Sequence, residues 1–528
     1  MGTYLLSIDV GTGSVRAALV TVDGHIVALN QAPIIVWKSP GRMEQSSDNI
    51  WQTLVHVVNQ LLNTSKVTPT EIIGMGIDST ASLVLLDKNF APVFLPGHNQ
   101  TNIIGWMDHR AIMQAEVLSQ QHPHLLKGMG TRLIPELPIP RLLWLKQEAP
   151  DLWNNTGCIF DLYDFLTWKC TGIIARNSAG ISSLNDNDQL SQLDIDAGSK
   201  LQGQRCPIAT VIGTGLNETA AKQLGLQKGT PVATGIVDGA GGTLSTLLAD
   251  HNSNVNQLDI NIVTRRLSMV VGTSAVYVAT SKFPVETPFF WGPWPSEFDG
   301  YYKYVIRQTA AGALIDHTLQ SHPAFIAIQN MAISEGISVY LYLHQMLEDM
   351  AGNNNLSLLA ESIHVLPYFA GNHCPRMDFS LRGVISGLTL DNSEQSLALV
   401  YLATIQSLAL GARHNTELLK DSGHDIDLLM AAGGLAKNKL FMQEHVNAMN
   451  IPAALPDESD VMLLSGALVA SVAVGVHPTL ENAMRAMTRY RKIISPDTSL
   501  SDYMDKKYQV FLEMYEDQMK YRRVMRKE

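Results

Sequence analysis

Three stretches of the sequence set reactive side chains among glycines. Asp9-Val10-Gly11-Thr12-Gly13-Ser14 closes an apolar run near the N-terminus. Glycines there let backbone N–H groups converge on a phosphate, so the anion can be held without strong positive charge. Thr12 and Ser14 add hydroxyl donors, and Asp9 at the strand end is placed to hold Mg2+ directly or through water. Taken alone, this segment reads equally well as a plain glycine-rich hairpin. Far downstream Gly272-Thr273-Ser274 repeats the Gly-Thr turn. The repetition favours a phosphate role, one turn from each of two lobes gripping the β- and γ-phosphates of a nucleotide across a common cleft. Ala432-Gly433-Gly434-Leu435 places glycines between the apolar run Leu428 to Ala431 and a helix expected from near Asn438. That setting suits a nucleotide, although packing alone also explains it.

Asp238 stands among Gly235, Gly239, Gly241 and Gly242 at the end of another apolar run. Bare backbone around a carboxylate leaves room for an acceptor hydroxyl and a phosphate donor together, and a carboxylate in reach accepts the hydroxyl proton in the transition state. The competing reading is a turn Asp capping the helix that follows. Trp106-Met107-Asp108-His109-Arg110 joins an aromatic face, a carboxylate and a guanidinium, the groups that stack on and hydrogen-bond to sugars; a helix start capped by Asp108 with a solvated Arg110 fits the same residues. His364, His373, His414 and His445 show no metal-ligand spacing, and Lys520 to Lys527 reads as a solvated helix end.

The elements that must position these groups are α/β. Tyr4 to Val10 and Val15 to Val22 are expected strands, followed by a turn at Asp23-Gly24 into Ile26 to Leu29. Leu267 to Val271 and Ala275 to Ala279 flank the second Gly-Thr turn in the same way, which points to a duplicated architecture. Glu71 to Asp78 and Ser82 to Asp87 are expected to pair as strands; Leu142 to Gln147, Asp161 to Lys169, Asp391 to Leu419, Lys439 to Ala448 and Val461 to Val476 are expected helices. The polar stretch Ala249 to Arg266, with Asp250, His251, Asn252, Ser253, Asn254 and Asn256, marks a boundary between residues 1–250 and 267–528.

Composition narrows the class. The chain has 528 residues, 46% hydrophobic and 16% charged, which is the balance of a globular protein with more than one core. A net charge of −11 argues against nucleic acid or an anionic membrane as partner. Cys158, Cys170, Cys206 and Cys374 form no CxxC pair, and a reducing cytoplasm is the expected setting. No secretory signal or myristoylation motif is read at the N-terminus, and Leu463 to Val476, taken as the longest apolar stretch, is too short to cross a bilayer.

Together these motifs resemble the FGGY carbohydrate kinases of the actin-like ATPase superfamily, over nearly the whole chain. Asp9 to Ser14 looks like the first phosphate motif, Gly272-Thr273-Ser274 like the second, and Ala432-Gly433-Gly434 like the adenosine motif. The resemblance implies two actin-like (ribonuclease H-like) lobes around a cleft, ATP and Mg2+ as cofactors, and a small sugar or polyol as acceptor. It makes Asp238 the catalytic base and carries Gly312 and Asn438 to the nucleotide side. Within the family, Thr80-Ala81-Ser82-Leu83-Val84, Trp106 to Ala111 and Lys437-Asn438 onward are most similar to the D-ribulokinase-like branch. By that similarity Asp108 binds the sugar, Thr80, Ala81 and Trp106 line its pocket, and D-ribulose is the favoured substrate. Xylulose, L-ribulose, glycerol or a tetritol are the alternatives.

Departures fall on the acceptor side. Val305 replaces an expected Glu in Val305-Ile306-Arg307-Gln308, leaving Arg307 or Gln308 to reach the same hydroxyl. Gly312 follows Ala310-Ala311 where the branch often has Thr-Gly, Cys374 and Phe379 depart from the usual Ser and Pro, and Ser465 stands where Gly is common. Two rival functions remain open, a non-catalytic actin-like nucleotide switch and a sugar sensor without turnover. A homodimer is left open as well.

Overall fold

The computed structural model describes residues 2–179, 187–250, 259–458 and 460–525. Residues 251–258 of the polar boundary stretch lie outside the described residues, as do residues 526–528 of the basic tail. The chain forms two compact units. The first comprises Met1–Ile260, Pro293–Tyr302 and Asp457–Arg489, and the second Asn261–Gly292, Lys303–Pro456 and Tyr490–Glu528. A split into residues 1–250 and 267–528 is therefore too simple, because the chain leaves the second unit after Pro456 and returns to complete the first.

The first unit is built on a sheet of β1 (Tyr4–Val10), β2 (Ser14–Thr21), β3 (Ile26–Pro33), β4 (Ile72–Ser79) and β5 (Ile236–Val237), in the order β5-β4-β1-β2-β3. β1, β2 and β3 run antiparallel in turn, while β4 is parallel to β1 and β5 parallel to β4. Successive side chains of a strand point to opposite faces. Accordingly Leu6, Ile8 and Val10 of β1 share a core with Ile50, Leu54, Val57, Val58 and Leu61 of α1 (Ser47–Ser65). Burying each such aliphatic side chain contributes about 1.5–3 kcal/mol. The opposite face is covered by the returning helix Leu464–Ala473, which packs on β1 and β4. Its approach is close enough that a Cβ at Gly76 would stand 2.1 Å from the Gly466 carbonyl, and one at Gly466 would stand 2.5 Å from Ser7 Oγ.

The expected pairing of Glu71–Asp78 with Ser82–Asp87 is not found. The first is β4, whereas Leu83–Leu86 lies in a separate antiparallel sheet between Ile103–Ile104 and Cys158–Asp161. The Thr80 N–H bonds to the Val10 carbonyl (3.1 Å) and the Ser82 N–H to the Thr80 carbonyl (2.9 Å), turning the chain from one sheet into the other. α2 (Asp238–Leu244) follows β5 directly.

The second unit repeats the opening motif. β6 (Arg266–Val271) and β7 (Ala275–Ser281) are antiparallel; β8 (Tyr302–Gln308) follows on the far side of β7, and β9 (Leu428–Ala432), β10 (Ala453–Pro456) and β11 (Tyr490–Ile494) follow on the far side of β6. As β4 is to β1, β9 is parallel to β6. The helices of this unit include α3 (Gly312–Gln320), α4 (Glu394–Asp421), α5 (Lys439–Met449) and α6 (Ser501–Met525). The stretch near Leu463 forms a shorter apolar helix, as expected; among the described residues α4 is long and apolar enough to cross a membrane by length and composition, and 83% of its apolar window is buried inside the molecule. It reads as the core helix of the unit.

Candidate active site

β1, β4 and β5 finish side by side. Asp9 is in register with Asp78, Val10 with Ser79, and Val237 also with Ser79, so the residues that leave these strands emerge at one edge of the sheet. Asp9 is 2% exposed and Asp78 is 0% exposed. Asp9 is paired with the Arg16 guanidinium from β2, which also lies 3.8 Å from Asp460. Burial holds the Asp78 carboxyl well above the usual carboxylate range, helped by the neighbouring charge of Asp9. Ser465, from the returning helix, donates to Asp78 Oδ2. Neither Asp78 nor Arg16 stands out as a site residue in the sequence. The signal for Asp78 was the likeness of Ile77-Asp78-Ser79 to Ile8-Asp9-Val10, an Asp at the end of each of two apolar strands.

The Gly11–Ser14 turn is closed by the Gly11 N–H on the Ser14 carbonyl (3.0 Å). A Cβ built on Gly13 would meet nothing within 4 Å, and one on Gly11 would meet the Ser14 carbonyl oxygen at 3.9 Å. Internal packing therefore does not demand these glycines, and the room beside them is available to a ligand. Asp238 opens α2, but the helix cap is Val237; Asp238 Oδ1 accepts from the next N–H, Gly239, at 2.8 Å. The capping explanation of this residue is thus not met. Its side chain is half-buried beside Gly239, another glycine with nothing within 4 Å of its Cβ position. By contrast a Cβ at Gly241 would stand 2.9 Å from that of Ser465, so this glycine serves packing.

The Trp106–Arg110 segment divides its labour. The Trp106 indole Nε1 donates to Thr12 Oγ1 at 2.9 Å, and its backbone N–H to Ser82 Oγ at 3.2 Å. Ser82 Oγ in turn lies 3.1 Å from Thr80 Oγ1. Arg141, buried and pulled down to about 10 by desolvation, donates to the carbonyls of Gly105 (2.9 Å) and Trp106 (3.0 Å) and, at 3.4 Å, to that of Ala81. Thr80 is buried and Ala81 half-buried.

Asp108 differs from its expected role as a sugar ligand. It is 0% exposed and accepts from the Met43 N–H (2.8 Å), the Arg110 N–H (3.0 Å), Arg110 Nε (2.7 Å) and an Arg110 terminal nitrogen (2.7 Å). Arg110 also bonds to Glu44 at 2.7 Å. The carboxylate is spent on anchoring the segment, and Arg110 is not a solvated cation. Burial, which residue types do not reveal, decides between the two roles.

In the second unit Gly272 N–H bonds to the Ser274 carbonyl (2.8 Å), closing a turn like that at Gly11. Gly272 and Gly434 have nothing within 4 Å of their Cβ positions, and Thr273 is exposed. Gly312 and Gly433 are different. A Cβ at Gly312 would lie 2.7 Å from the Gly272 carbonyl oxygen, and one at Gly433, whose φ is +93°, would lie 2.3 Å from that of Val271. Both let the backbone close around Val271-Gly272. Asn438, expected on the nucleotide side, caps α5 through the Phe441 N–H (3.1 Å) and donates to the Tyr401 hydroxyl (2.9 Å). Gln308 is turned inward, between the Tyr277 hydroxyl (3.2 Å) and the Leu408 carbonyl (3.1 Å), and so does not replace the missing glutamate. Val305 is half-buried on β8, and the Arg307 guanidinium lies over the Trp291 ring at 5.6 Å.

Residues 4–245 match the N-terminal domain, and residues 267–474 the C-terminal domain, of the FGGY family of carbohydrate kinases. The chain belongs to this family. It is accordingly a sugar kinase, with ATP as the phosphoryl donor that such a family implies. An FGGY carbohydrate kinase domain-containing protein of Xenopus laevis is 37% identical over 99% of this chain and 98% of its own length. A D-ribulokinase of Saccharomyces cerevisiae is 30% identical over 89% of this chain and 72% of its own. Among solved structures, a ligand-bound xylulose kinase from Lactobacillus acidophilus has the same fold at a TM-score of 0.78, with 19% identity and 98% of each chain covered.

Proposed function

We propose that this kinase transfers the γ-phosphoryl group of ATP to the terminal primary hydroxyl of a ketopentose, with D-ribulose the favoured acceptor. The observation that carries the catalytic part is Asp238, a half-buried carboxylate leaving the sheet beside the ends of β1 and β4, with open space at Gly239. The acceptor hydroxyl binds at this carboxylate. As its oxygen bonds to the γ-phosphorus, the bond from phosphorus to the β,γ-bridging oxygen breaks, ADP departs, and Asp238 takes the hydroxyl proton. The Gly11–Ser14 and Gly272–Ser274 turns each offer backbone N–H groups and hydroxyls to phosphate oxygens.

The donor set at the ends of β1 and β4 fits Mg2+. Asp9 and Asp238 are carboxylates that each lie close enough to the buried Asp78 to influence it, with Arg16 the cation paired to Asp9. No group of three or more His, Cys, Asp or Glu among the described residues is arranged to hold a metal by itself. Asp9 would therefore hold the ion through water and phosphate oxygens, the usual habit of Mg2+. When bound, it neutralises phosphate charge.

The ketopentose is supported by the yeast D-ribulokinase relative and by the Thr80–Ala81 and Trp106 surroundings. Val305 in place of a carboxylate favours a weaker grip on one sugar hydroxyl, hence a raised KM for D-ribulose. Four free, buried cysteines support a reducing, cytoplasmic setting. The test is ADP release with D-ribulose, D-xylulose, L-ribulose, glycerol and tetritols. Fastest kcat/KM with a ketopentose is expected; preference for glycerol, a hexose or a tetritol overturns the acceptor, and absence of ADP release with every sugar overturns the catalytic reading.

A further inference from the structure

Ser465 and Asp78 form a buried contact that the transfer chemistry does not use directly. Ser465 is 0% exposed in the first turn of the returning helix; its hydroxyl donates to Asp78 Oδ2 and lies 2.8 Å from the Met462 carbonyl. Asp78 sits on β4, in register with Ile236 of β5, two residues before Asp238. The third partner is α2. A Cβ at Gly241 would stand 2.9 Å from Ser465 Cβ, 3.1 Å from its Oγ and 3.6 Å from Asp78 Oδ2. Gly241 is three residues after Asp238 and so lies on the same side of the helix. The Ser465–Asp78 pair is therefore the floor on which the first turn of α2 rests.

We propose that Ser465 and Asp78 are positioning residues that set where the Asp238 carboxylate stands. The inference rests on Asp238 being the proton acceptor. Both residues are fully buried, so neither reaches a substrate; they act through the seat of α2. Three features converge on this role. The backbones of Gly76 and Gly466 approach so closely that the returning helix has no freedom to slide along β4. Gly241 admits no side chain without displacing Ser465 or α2. Val237 gives α2 no side-chain cap, so the helix start depends on what packs beneath it. A shift of the carboxylate by a fraction of an ångström changes the rate of proton acceptance while leaving both substrates bound, because positioning errors act on the transition state.

The experiment is steady-state kinetics on Ser465→Ala, Ser465→Gly, Gly241→Ala and the double variant Gly241→Ala/Ser465→Gly, with thermal melting of each and Asp238→Asn as reference. Expected are a fall in kcat of about 10-fold or more for Ser465→Ala and Gly241→Ala and KM for ATP and sugar within about 2-fold of the parent, with a lowered melting temperature in Gly241→Ala that recovers in the double variant. Moving the Cβ from one helix to the other should make the double variant faster than Gly241→Ala alone, a rescue that general loosening of the fold would not give. Unchanged kcat in Ser465→Ala and Ser465→Gly, or losses that simply multiply in the double variant, overturns the positioning role even if Asp238→Asn is inactive. If Asp238→Asn keeps parental turnover, the proton-acceptor reading fails first and the inference falls with it.

Discussion

The indole of Trp106 donates to the hydroxyl of Thr12 at 2.9 Å, tying the aromatic segment to the glycine turn after β1. Trp106→Phe keeps the ring face and removes the donor, and Thr12→Val removes the acceptor. A hydrogen bond of this kind contributes about 0.5–1.5 kcal/mol, so each change should lower kcat/KM by roughly 2- to 10-fold. Because the two share one interaction, the double variant should be little worse than either single one. Fully additive losses in a double-mutant cycle would show that the contact does not couple the two segments.

Asp238→Asn should reduce turnover by about 10² to 10⁴-fold, the range for loss of a general base. The amide oxygen can still accept from the Gly239 N–H, so the start of α2 and nucleotide binding should persist. Calorimetry for ATP alongside turnover separates the two; turnover at the parental level refutes the assignment.

The glycines divide into two classes with different phenotypes. Gly272→Ala and Gly434→Ala meet nothing within 4 Å and should melt like the parent while binding ATP more weakly. Gly433→Ala forces a side chain into φ +93° and against the Val271 carbonyl, and should lower the melting temperature. Melting and ATP titration on the three proteins check the division; unchanged ATP affinity in both Gly272→Ala and Gly434→Ala removes the nucleotide role.

Acid should destabilise the second unit. Burial lowers His445 from 6.5 to about 4, and burial with the charge of Arg376 lowers His414 from 6.5 to about 4. Both imidazoles are neutral in the fold, so below pH 6.5 the unfolded chain binds protons that the folded chain refuses. Stability is then highest above 6.5 and falls as pH drops towards 4, by up to on the order of 3 kcal/mol for each group. Urea midpoints at pH 7 and pH 5 should differ less for His445→Gln than for the parent. Equal differences would mean that His445 titrates normally.

Local pattern carried much of this fold. The Tyr4–Val10 strand, the Gly11–Ser14 turn, the repeat at Gly272 and the start of α5 near Asn438 follow from alternation, glycine placement and capping residues within a few positions of one another. What failed was non-local. Asp78 ends its strand just as Asp9 does, but its neighbour across the helix interface is Ser465, hundreds of residues away in sequence. Ser82–Asp87 lies near β4 along the chain and pairs elsewhere because Thr80 and Ser82 turn the backbone into another sheet. Asp108 carries the right chemistry for a ligand, yet it is buried and consumed by internal hydrogen bonds, and residue type is silent about that competition.

The return of residues 457–489 to the first unit orders events during synthesis. A nascent chain can assemble β1, β2, β3 and α1 as soon as their residues clear the ribosome, leaving the far side of β1 and β4 uncovered. Leu5 and the backbone at Gly74 and Gly76 wait there for the helix Leu464–Ala473, which is made only near the end of translation. Throughout that interval one face of the sheet, with its closely approached glycine backbone and the carboxyl of Asp78, is exposed to other chains, the condition in which aggregation competes with folding. Shortened chains ending before residue 464 should accordingly need a chaperone to stay dispersed, even though they contain every residue of the N-terminal family domain.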